Sequence, residues 1–220
     1  MNAADFPFSP GNGEIANRSD EAWNMLHSCL ENCTECPLSE GRTKVVPGEG
    51  DRKSPVMFIG EAPGADEDIQ GRPFVGRAGQ LLTQILESGG IRRDEAYITN
   101  VVKCRPPQNR VPTVQEMMSC GKYLESQIAL INPRIIVCLG NTPLKWLMKT
   151  TEGISSVRGK WLTWRGIDFF PMFHPSYLLR NDSRKVGSPK HLTWQDVQEL
   201  RKRWKAAAEA SRSTSEGATE

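Results

Sequence analysis

Residues 56–88 read VMFIGEAPGADEDIQGRPFVGRAGQLLTQILES, and the order of elements within this stretch decides the fold. The run Val56 to Gly60 is short and apolar and leads into turn residues, which is typical of a buried strand. Residues Ala78 to Ser88 repeat apolar side chains at helical spacing. A strand, a long loop and a helix in this order predict the first unit of an α/β domain.

Similar units follow along the chain. The predicted strands are Val56 to Gly60, Ala96 to Val102, Arg134 to Gly140 and Ile167 to Phe173. The predicted helices are Glu21 to Cys29, Ala78 to Ser88, Val114 to Ile131 after a Thr113-x-x-Glu116 capping box, Pro143 to Lys149 and Trp194 to Ala210. This alternation predicts an α/β fold with a parallel sheet, in which ligands bind beyond the carboxyl ends of the strands.

The composition is ordinary for one globular domain: of 220 residues, 38% are hydrophobic and 25% are charged. We expect the domain at residues 20–208, with mobile tails at 1–19 and 209–220, because both ends are polar and lack apolar periodicity. Neither a membrane span nor a secretory leader is recognisable, so a cytoplasmic protein is expected. The net charge of +2 requires that any nucleic acid meet a local basic patch.

The chain contains six cysteines, which in a reducing compartment favour metal or redox chemistry over disulfides. Two pairs, one in a C-x-x-C turn and one flanking a Pro-rich loop, can converge on one site: Cys33, Cys36, Cys104 and Cys120. Four thiolates suit either zinc or a 4Fe-4S cluster, and their spacing does not decide between the two. Buried thiols that only pack are the alternative, as expected for Cys138. Cys29, one turn before the C-x-x-C pair, competes for a ligand role.

The loop after the first predicted strand is rich in glycine and carboxylates. Residues 61–68 read EAPGADED and residues 71–79 read GRPFVGRAG. At the carboxyl end of a strand, such a loop can hold a ligand against backbone amides and place acids beside it. Taken alone, the segment is also compatible with a solvated acidic turn that caps a helix.

This loop occurs together with ITNVVKCRPPQNRVPTVQEMMSC at residues 98–120 and FHPSYLLR at residues 173–180. The three segments resemble the family 4 uracil-DNA glycosylases, iron-sulfur members of the uracil-DNA glycosylase superfamily, over roughly residues 30–205. The resemblance implies a three-layer α/β/α sandwich on a four-stranded parallel sheet, with a 4Fe-4S cluster on the four candidate cysteines. It also implies hydrolysis of the bond between uracil and deoxyribose in single- or double-stranded DNA. A monomer without membrane association is expected.

Cleavage of deoxyuridine builds positive charge on the sugar and negative charge on the departing uracil. The site therefore needs an anion, a hydrogen-bond donor and a positioned water. The resemblance assigns the water and the sugar cation to Glu61, with Glu67 as a second candidate, and the donor at uracil O2 to His174. Asp66 and Asp68 are expected to face solvent.

A flipped uracil also needs a stacking surface and a partner for its polar edge. The resemblance gives stacking to Phe74 and the edge to Asn100, whose amide oxygen can accept N3-H while the nitrogen donates to O4. Ala62 completes the uracil-binding set. It stands where the best-known branch of the superfamily has an Asp, so the identity of a general base stays open. Core packing for Phe74 and a strand-end turn for Asn100 are the alternatives.

The segment after the histidine resembles the family's minor-groove wedge. In that interpretation Leu178 or Leu179 fills the space of the extruded nucleotide and Arg180 meets phosphate, although either leucine can instead be a core residue.

Lys103, Arg105 and Arg110 predict a basic loop that holds DNA phosphates, with a solvated loop as the alternative. A covalently trapping branch of the superfamily has a nucleophilic His in a longer insertion here. Residues 108–112 read QNRVP and contain no His, so ordinary turnover is expected.

Two other functions fit parts of the sequence. A zinc-holding, nucleic-acid-binding module would use the cysteines and the basic loop, but it leaves Glu61 and His174 unexplained. A glycosylase for hypoxanthine, xanthine or mismatched thymine would keep the fold and differ in the pocket wall near Glu67.

Overall fold

The computed structural model describes the fold of residues 12–216 and the side chains of residues 20–207. The first described helix begins at Asn12 and the last ends at Glu216. Residues 1–11 and 217–220 of the predicted tails lie outside the described residues, so the mobility of the tails and the domain limits stay predictions. None of the helices in residues 12–216 has both the length and the apolar character needed to cross a bilayer.

A mixed sheet forms the centre of the fold. Its strands are β1 (Glu49–Gly50), β2 (Val56–Gly60), β3 (Tyr97–Asn100), β4 (Ile135–Leu139), β5 (Leu162–Trp164) and β6 (Ile167–Met172). Their order is β1-β3-β2-β4-β6-β5. The inner four are parallel and correspond to the four predicted strands, which confirms the α/β class. The expected four-stranded sheet is corrected to six, because antiparallel β1 and β5 extend its edges. With two and three residues, these strands are too short to carry a hydrophobic period.

The register of the parallel strands brings their carboxyl ends to one edge of the sheet. Gly60 in β2 pairs with Asn100 in β3, and Leu139 in β4 pairs with Met172 in β6. The loops that leave these four ends therefore lie side by side, as expected for a ligand site in an open parallel sheet.

Helices cover both faces of the sheet. They are α1 (Asn12–Glu31), α2 (Leu38–Gly41), α3 (Ala65–Gln70), α4 (Arg77–Ser88), α5 (Val114–Ile131), α6 (Asn141–Met148), α7 (Ile154–Val157), α8 (Pro175–Arg180) and α9 (Pro189–Glu216). Successive strand side chains point to opposite faces. Met57 and Ile59 belong to a core shared with α1 and α5, whereas Val56 and Phe58 belong to a core shared with α4 and α9. The three-layer α/β/α arrangement is thereby confirmed.

Helix limits agree best where the sequence carries a capping signal. Helix α5 has the predicted bounds, and its capping box is formed: Thr113 Oγ1 accepts the Glu116 amide N-H at 3.2 Å, while the Glu116 carboxylate accepts the Thr113 amide N-H at 2.7 Å. Helices α1 and α9 start earlier than predicted, in polar segments with little apolar periodicity. The short helices α2, α3, α7 and α8 were not predicted.

The cap of α5 provides a test of local stability. Thr113→Ala should lower the free energy of unfolding by about 1 kcal/mol, because the Glu116 amide loses its acceptor. Denaturant titration would measure this, with exposed Gln115→Ala in the same helix as a control that should stay within about 0.5 kcal/mol. Equal stabilities for the two variants would contradict the capping role.

Candidate active site and cysteine cavity

A cleft of about 840 Å³ opens at the carboxyl edge of the parallel strands. Each of the four parallel strands contributes to it, either at its last residue or in the loop that follows. Its lining includes every residue predicted to bind uracil: Glu61, Ala62, Phe74, Asn100 and His174. Glu67, Arg110 and Arg180 also line it, whereas Arg105 and both predicted wedge leucines do not.

Phe74 forms an aromatic wall of the cleft, and two glycines make room for it. Its backbone has φ of +51°, in the left-handed region that non-glycine residues seldom adopt. A Cβ at Gly60 would lie 2.5 Å from the Phe74 ring, and a Cβ at Gly79 would overlap the Phe74 carbonyl. With any residue other than glycine at positions 60 and 79, strand β2 and helix α4 could not approach Phe74 this closely.

Asn100 places a buried acceptor in the cleft. Its side chain is 1% exposed, and Oδ1 has no hydrogen-bond partner among the described residues. Buried polar atoms without partners are rare, and each calls for an explanation. A Cβ at Gly60 would collide with this oxygen as well, so the same glycine admits both Phe74 and Asn100.

His174 is a neutral donor held in one orientation. It caps α8: Nδ1 accepts the Ser176 amide N-H at 3.1 Å, with the Ser176 hydroxyl 2.8 Å away. With Nδ1 acting as an acceptor, the proton of the neutral ring resides on Nε2. Burial, and secondarily the charge of Arg180, lowers the pKa of His174 to about 4. The ring centroids of His174 and Phe74 are 5.7 Å apart.

Glu61 is the first residue after β2, and it is half-buried. The hydroxyl of Thr142, in the first turn of α6, donates a short hydrogen bond to Glu61 Oε2. No sequence motif indicates this role for Thr142, because a single Thr at the start of a helix is common and carries no specific signal. This contact fixes the carboxylate and leaves Oε1 without a described partner.

Of the other carboxylates in the loop, Asp66 is exposed as expected, whereas Glu67 and Asp68 accept hydrogen bonds from the backbone. Glu67 Oε1 accepts the amide N-H groups of Val75 and Gly76 at 2.9 Å each, and Oε2 accepts that of Gly64 at 3.1 Å. Asp68 was expected to face solvent, and this is wrong: it is 3% exposed and accepts the Thr43 amide N-H through both oxygens. The loop folds around its own acids, which satisfy amides that would otherwise be orphaned.

Helix α8 separates the two leucines of the expected wedge. Leu178 is 1% exposed and packs in the core, so its assignment to DNA contact is corrected. Leu179 is 37% exposed, as is Tyr177, and Arg180 is exposed beside them. The aliphatic side chain exposed on this helix is therefore Leu179.

The basic rim of the cleft differs from the one predicted. Lys103 is fully buried, so it cannot contact phosphate and is removed from the patch. Arg110 is exposed at the cleft and donates to both oxygens of Glu116, which lowers the pKa of that carboxyl to about 2. Lys145 of α6 also lines the cleft and is exposed, although no motif pointed to it. Arg105 is half-exposed, and its Nε donates to Asn109 Oδ1.

The cysteines meet in a second, smaller cavity behind β3, called here the cysteine cavity. Its lining includes the four predicted ligands: Cys33, Cys36, Cys104 and Cys120. Arg42 Nη1 donates to Cys104 Sγ at 3.2 Å, and the amide of Lys103 donates to Cys120 Sγ at 3.3 Å. The competitor Cys29 is exposed and lies outside this lining, and Cys138 is buried in β4.

The donor set of this cavity is of the kind that metal centres use. Within the described residues, however, no group of three or more His, Cys, Asp or Glu side chains is arranged to hold a metal ion. The four thiols line one cavity and come from three separate segments. Iron-sulfur clusters use four cysteine thiolates, and nearby N-H groups that donate to their sulfurs are typical of such sites.

Comparison with known proteins agrees with this geometry. The family model "Uracil DNA glycosylase superfamily" matches residues 47–198. A type-4 uracil-DNA glycosylase of Thermotoga maritima is 46% identical over 184 residues, covering 83% of this chain and 94% of that protein. One from Sulfurisphaera tokodaii is 49% identical over 165 residues (70% and 75%), and a type-5 enzyme of Pyrobaculum aerophilum is 30% identical over 188 residues (70% and 83%).

The chain belongs to the uracil DNA glycosylase superfamily, since the family model spans all six strands of the sheet and every loop at its carboxyl edge. Its identity to the type-4 relatives, over most of both chains, places it in the type-4 group.

The protonation of His174 can be tested directly. By NMR of histidine-labelled protein, the ring should stay neutral with its proton on Nε2 until the pH falls to about 4. The unfolded state takes up a proton near the ordinary value of 6.5, whereas the folded state resists until about 4. The free energy of unfolding should therefore decrease as the pH falls through this window, and His174→Ala should remove that component. A His174 signal that titrates near 6.5 would rule out the buried neutral ring.

Proposed function

We propose that this chain removes uracil from DNA by hydrolysing its N-glycosidic bond, releasing free uracil and leaving an abasic site. The observation that carries the proposal is the buried Asn100 Oδ1, which has no partner among the described residues and belongs to a residue of the cleft. Uracil offers the matching donor, N3-H. Membership in the superfamily and the similarity to type-4 uracil-DNA glycosylases support the same reaction.

The Asn100 amide also gives a basis for base choice. With Oδ1 accepting N3-H and Nδ2 donating to O4, the amide matches uracil. Cytosine has an acceptor at N3 and an amino donor at C4, so both contacts would be repulsive. Phe74 supplies the aromatic face on which the flipped base stacks and recovers part of the cost of extrusion.

His174 is our assignment for stabilising the leaving group. Its Nε2-H would donate to uracil O2, where negative charge grows as the glycosidic bond breaks. The ring is already neutral and already oriented by Ser176, so no reorganisation is needed as that charge develops. A donor that acts mainly in the transition state raises the rate more than it tightens substrate binding.

Glu61 is our assignment for the water and the sugar cation. Thr142 occupies Oε2, which leaves Oε1 to orient the water or to face the positive charge on the deoxyribose. Glu67 has both oxygens on backbone amides, and we assign it to holding the loop that carries Phe74. Ala62 has no polar side chain, so this arrangement relies on one carboxylate.

We further propose that Arg110, Lys145 and Arg180 at the cleft hold phosphates of single- or double-stranded DNA, with Arg105 farther out. Leu179 would occupy the space left by the flipped nucleotide. The protein would act as a monomer.

For the cysteine cavity we propose a 4Fe-4S cluster. The ligands would be the four cysteines that line it: Cys33, Cys36, Cys104 and Cys120. Bound there, the cluster would supply a rigid metal-sulfur junction between three segments of the chain. The donors from Arg42 and from the Lys103 amide support a site for charged sulfurs.

Variants of the cleft should separate chemistry from binding. His174→Ala should reduce single-turnover cleavage of deoxyuridine by about 100-fold or more with nearly unchanged DNA affinity, and Glu61→Gln should do the same by removing negative charge. Arg180→Ala should instead weaken binding and lower its salt dependence, with a smaller effect on cleavage. Rates and affinities would be measured on duplexes with one deoxyuridine at two salt concentrations. A His174→Ala enzyme that binds poorly but cleaves normally at saturation would require another role for this histidine.

The cysteine assignment predicts a visible phenotype. Replacing Cys33, Cys36, Cys104 or Cys120 by Ala should remove iron and lower stability together, because metal binding contributes to folding. Cys138→Ala is the matched control and should keep the brown colour, since this thiol is buried in β4. Iron analysis, visible absorbance and thermal unfolding would be measured together. A colourless, zinc-containing wild type, or loss of colour in Cys29→Ala but not in Cys120→Ala, would contradict the assignment.

A further inference from the structure

Lys103 is a fully buried lysine whose three N-H groups are all used. Its Nζ donates to Thr99 Oγ1 at 2.5 Å, to the backbone carbonyl of Asn100 at 2.7 Å and to Gln127 Oε1 at 2.7 Å. These acceptors match the three donors of an ammonium group. Among the described residues, none of the ion pairs formed with Asp or Glu includes Lys103.

The backbone of the same residue lies at the cysteine cavity. Lys103 precedes Cys104, its amide donates to Cys120 Sγ at 3.3 Å, and its carbonyl accepts the Val46 amide N-H at 2.8 Å. Gln127, which receives the ammonium, belongs to α5, the helix that carries Cys120. One residue thus contacts the cavity through its backbone and the end of β3 through its side chain.

Burying an ammonium is expensive, and an apolar side chain of the same length would fill the space at lower cost. The group directly held is the carbonyl of Asn100, whose side chain lies in the cleft. Base recognition by an amide depends on its orientation and tolerates little displacement.

We propose that Lys103 is a positioning residue, which fixes the end of β3 from the cysteine cavity and thereby orients Asn100 for base recognition. This inference rests on the proposed uracil excision. In this proposal the cysteine cavity is linked to the cleft by two hydrogen bonds that the Lys103 side chain donates at the end of β3, to Thr99 Oγ1 and to the Asn100 carbonyl.

A double-mutant cycle tests the proposal. Lys103→Met keeps the length of the side chain and removes the three hydrogen bonds. In the native background it should reduce single-turnover cleavage of deoxyuridine by about tenfold or more. In an Asn100→Ala background it should change the rate by less than about twofold, because the group that it orients is gone. A merely structural lysine would reduce both rates by the same factor.

Two further measurements identify the level at which Lys103 acts. Affinity for DNA with a preformed abasic site should stay within about twofold, since this product lacks the base that Asn100 contacts, and visible absorbance per protein should be unchanged. The control is Lys202→Met, an exposed lysine of α9, which should match the wild type in every assay. If Lys103→Met does not fold, Gln127→Met takes its place in the cycle, because it removes one of the three acceptors of the ammonium group. Its cleavage rate should fall by a smaller factor than expected for Lys103→Met, and that fall should likewise disappear in the Asn100→Ala background.

Three results would overturn the proposal: additive losses in the cycle, wild-type cleavage by Lys103→Met, or loss of visible absorbance in parallel with activity. The last would mean that Lys103 acts only by retaining metal. Absence of uracil release by the wild-type protein would instead refute the proposed function, so the two failures are distinguishable.

Discussion

The pairing of Gly60 with Asn100 in adjacent parallel strands is the contact on which the cleft depends. A Cβ at position 60 would collide with Asn100 Oδ1 and crowd the Phe74 ring, so the acceptor and the aromatic wall can meet only across a glycine hydrogen. Gly79 lets α4 approach Phe74 from the other side. The proposed recognition of uracil therefore depends on close backbone packing at Gly60 and Gly79, which leaves the space that the Asn100 amide and the Phe74 ring occupy.

The charges of the cleft are arranged by depth. The inner groups carry no charge: Asn100 is a buried amide, and the half-buried His174 is held neutral by desolvation and by its own helix cap. Glu61 is half-buried at the end of β2, and the cations Arg110 and Arg180 are exposed at the cleft. In the proposed reaction, the exposed cations would attract phosphate, and the neutral groups further inside would stabilise the transition state, where a low dielectric strengthens fixed dipoles.

The sequence was sufficient for the parallel strands, because strands buried on both faces are continuous apolar runs, and for α5, because its cap is local. It was insufficient where burial is decided by tertiary packing. Lys103 follows a strand and lies in a basic loop, so the sequence predicts an exposed side chain. In the structure, Gln127 of the distant helix α5 accepts a hydrogen bond from its ammonium group. Leu178 and Leu179 are indistinguishable within a helix of six residues. Thr142 contacts Glu61 across 81 positions, a separation that no local pattern spans.

The cysteine cavity joins residues that are far apart in the chain, and this dictates the order of assembly. Cys33 and Cys36 precede β2, whereas Cys104 and Cys120 follow β3. Bringing these four residues together requires contacts between distant parts of the chain, and such contacts form slowly because loop closure comes first. During synthesis, a ribosome must deliver residue 120 before the ligand set is complete. Insertion of the proposed cluster, which would join all four cysteines, could therefore be completed only after that point in synthesis.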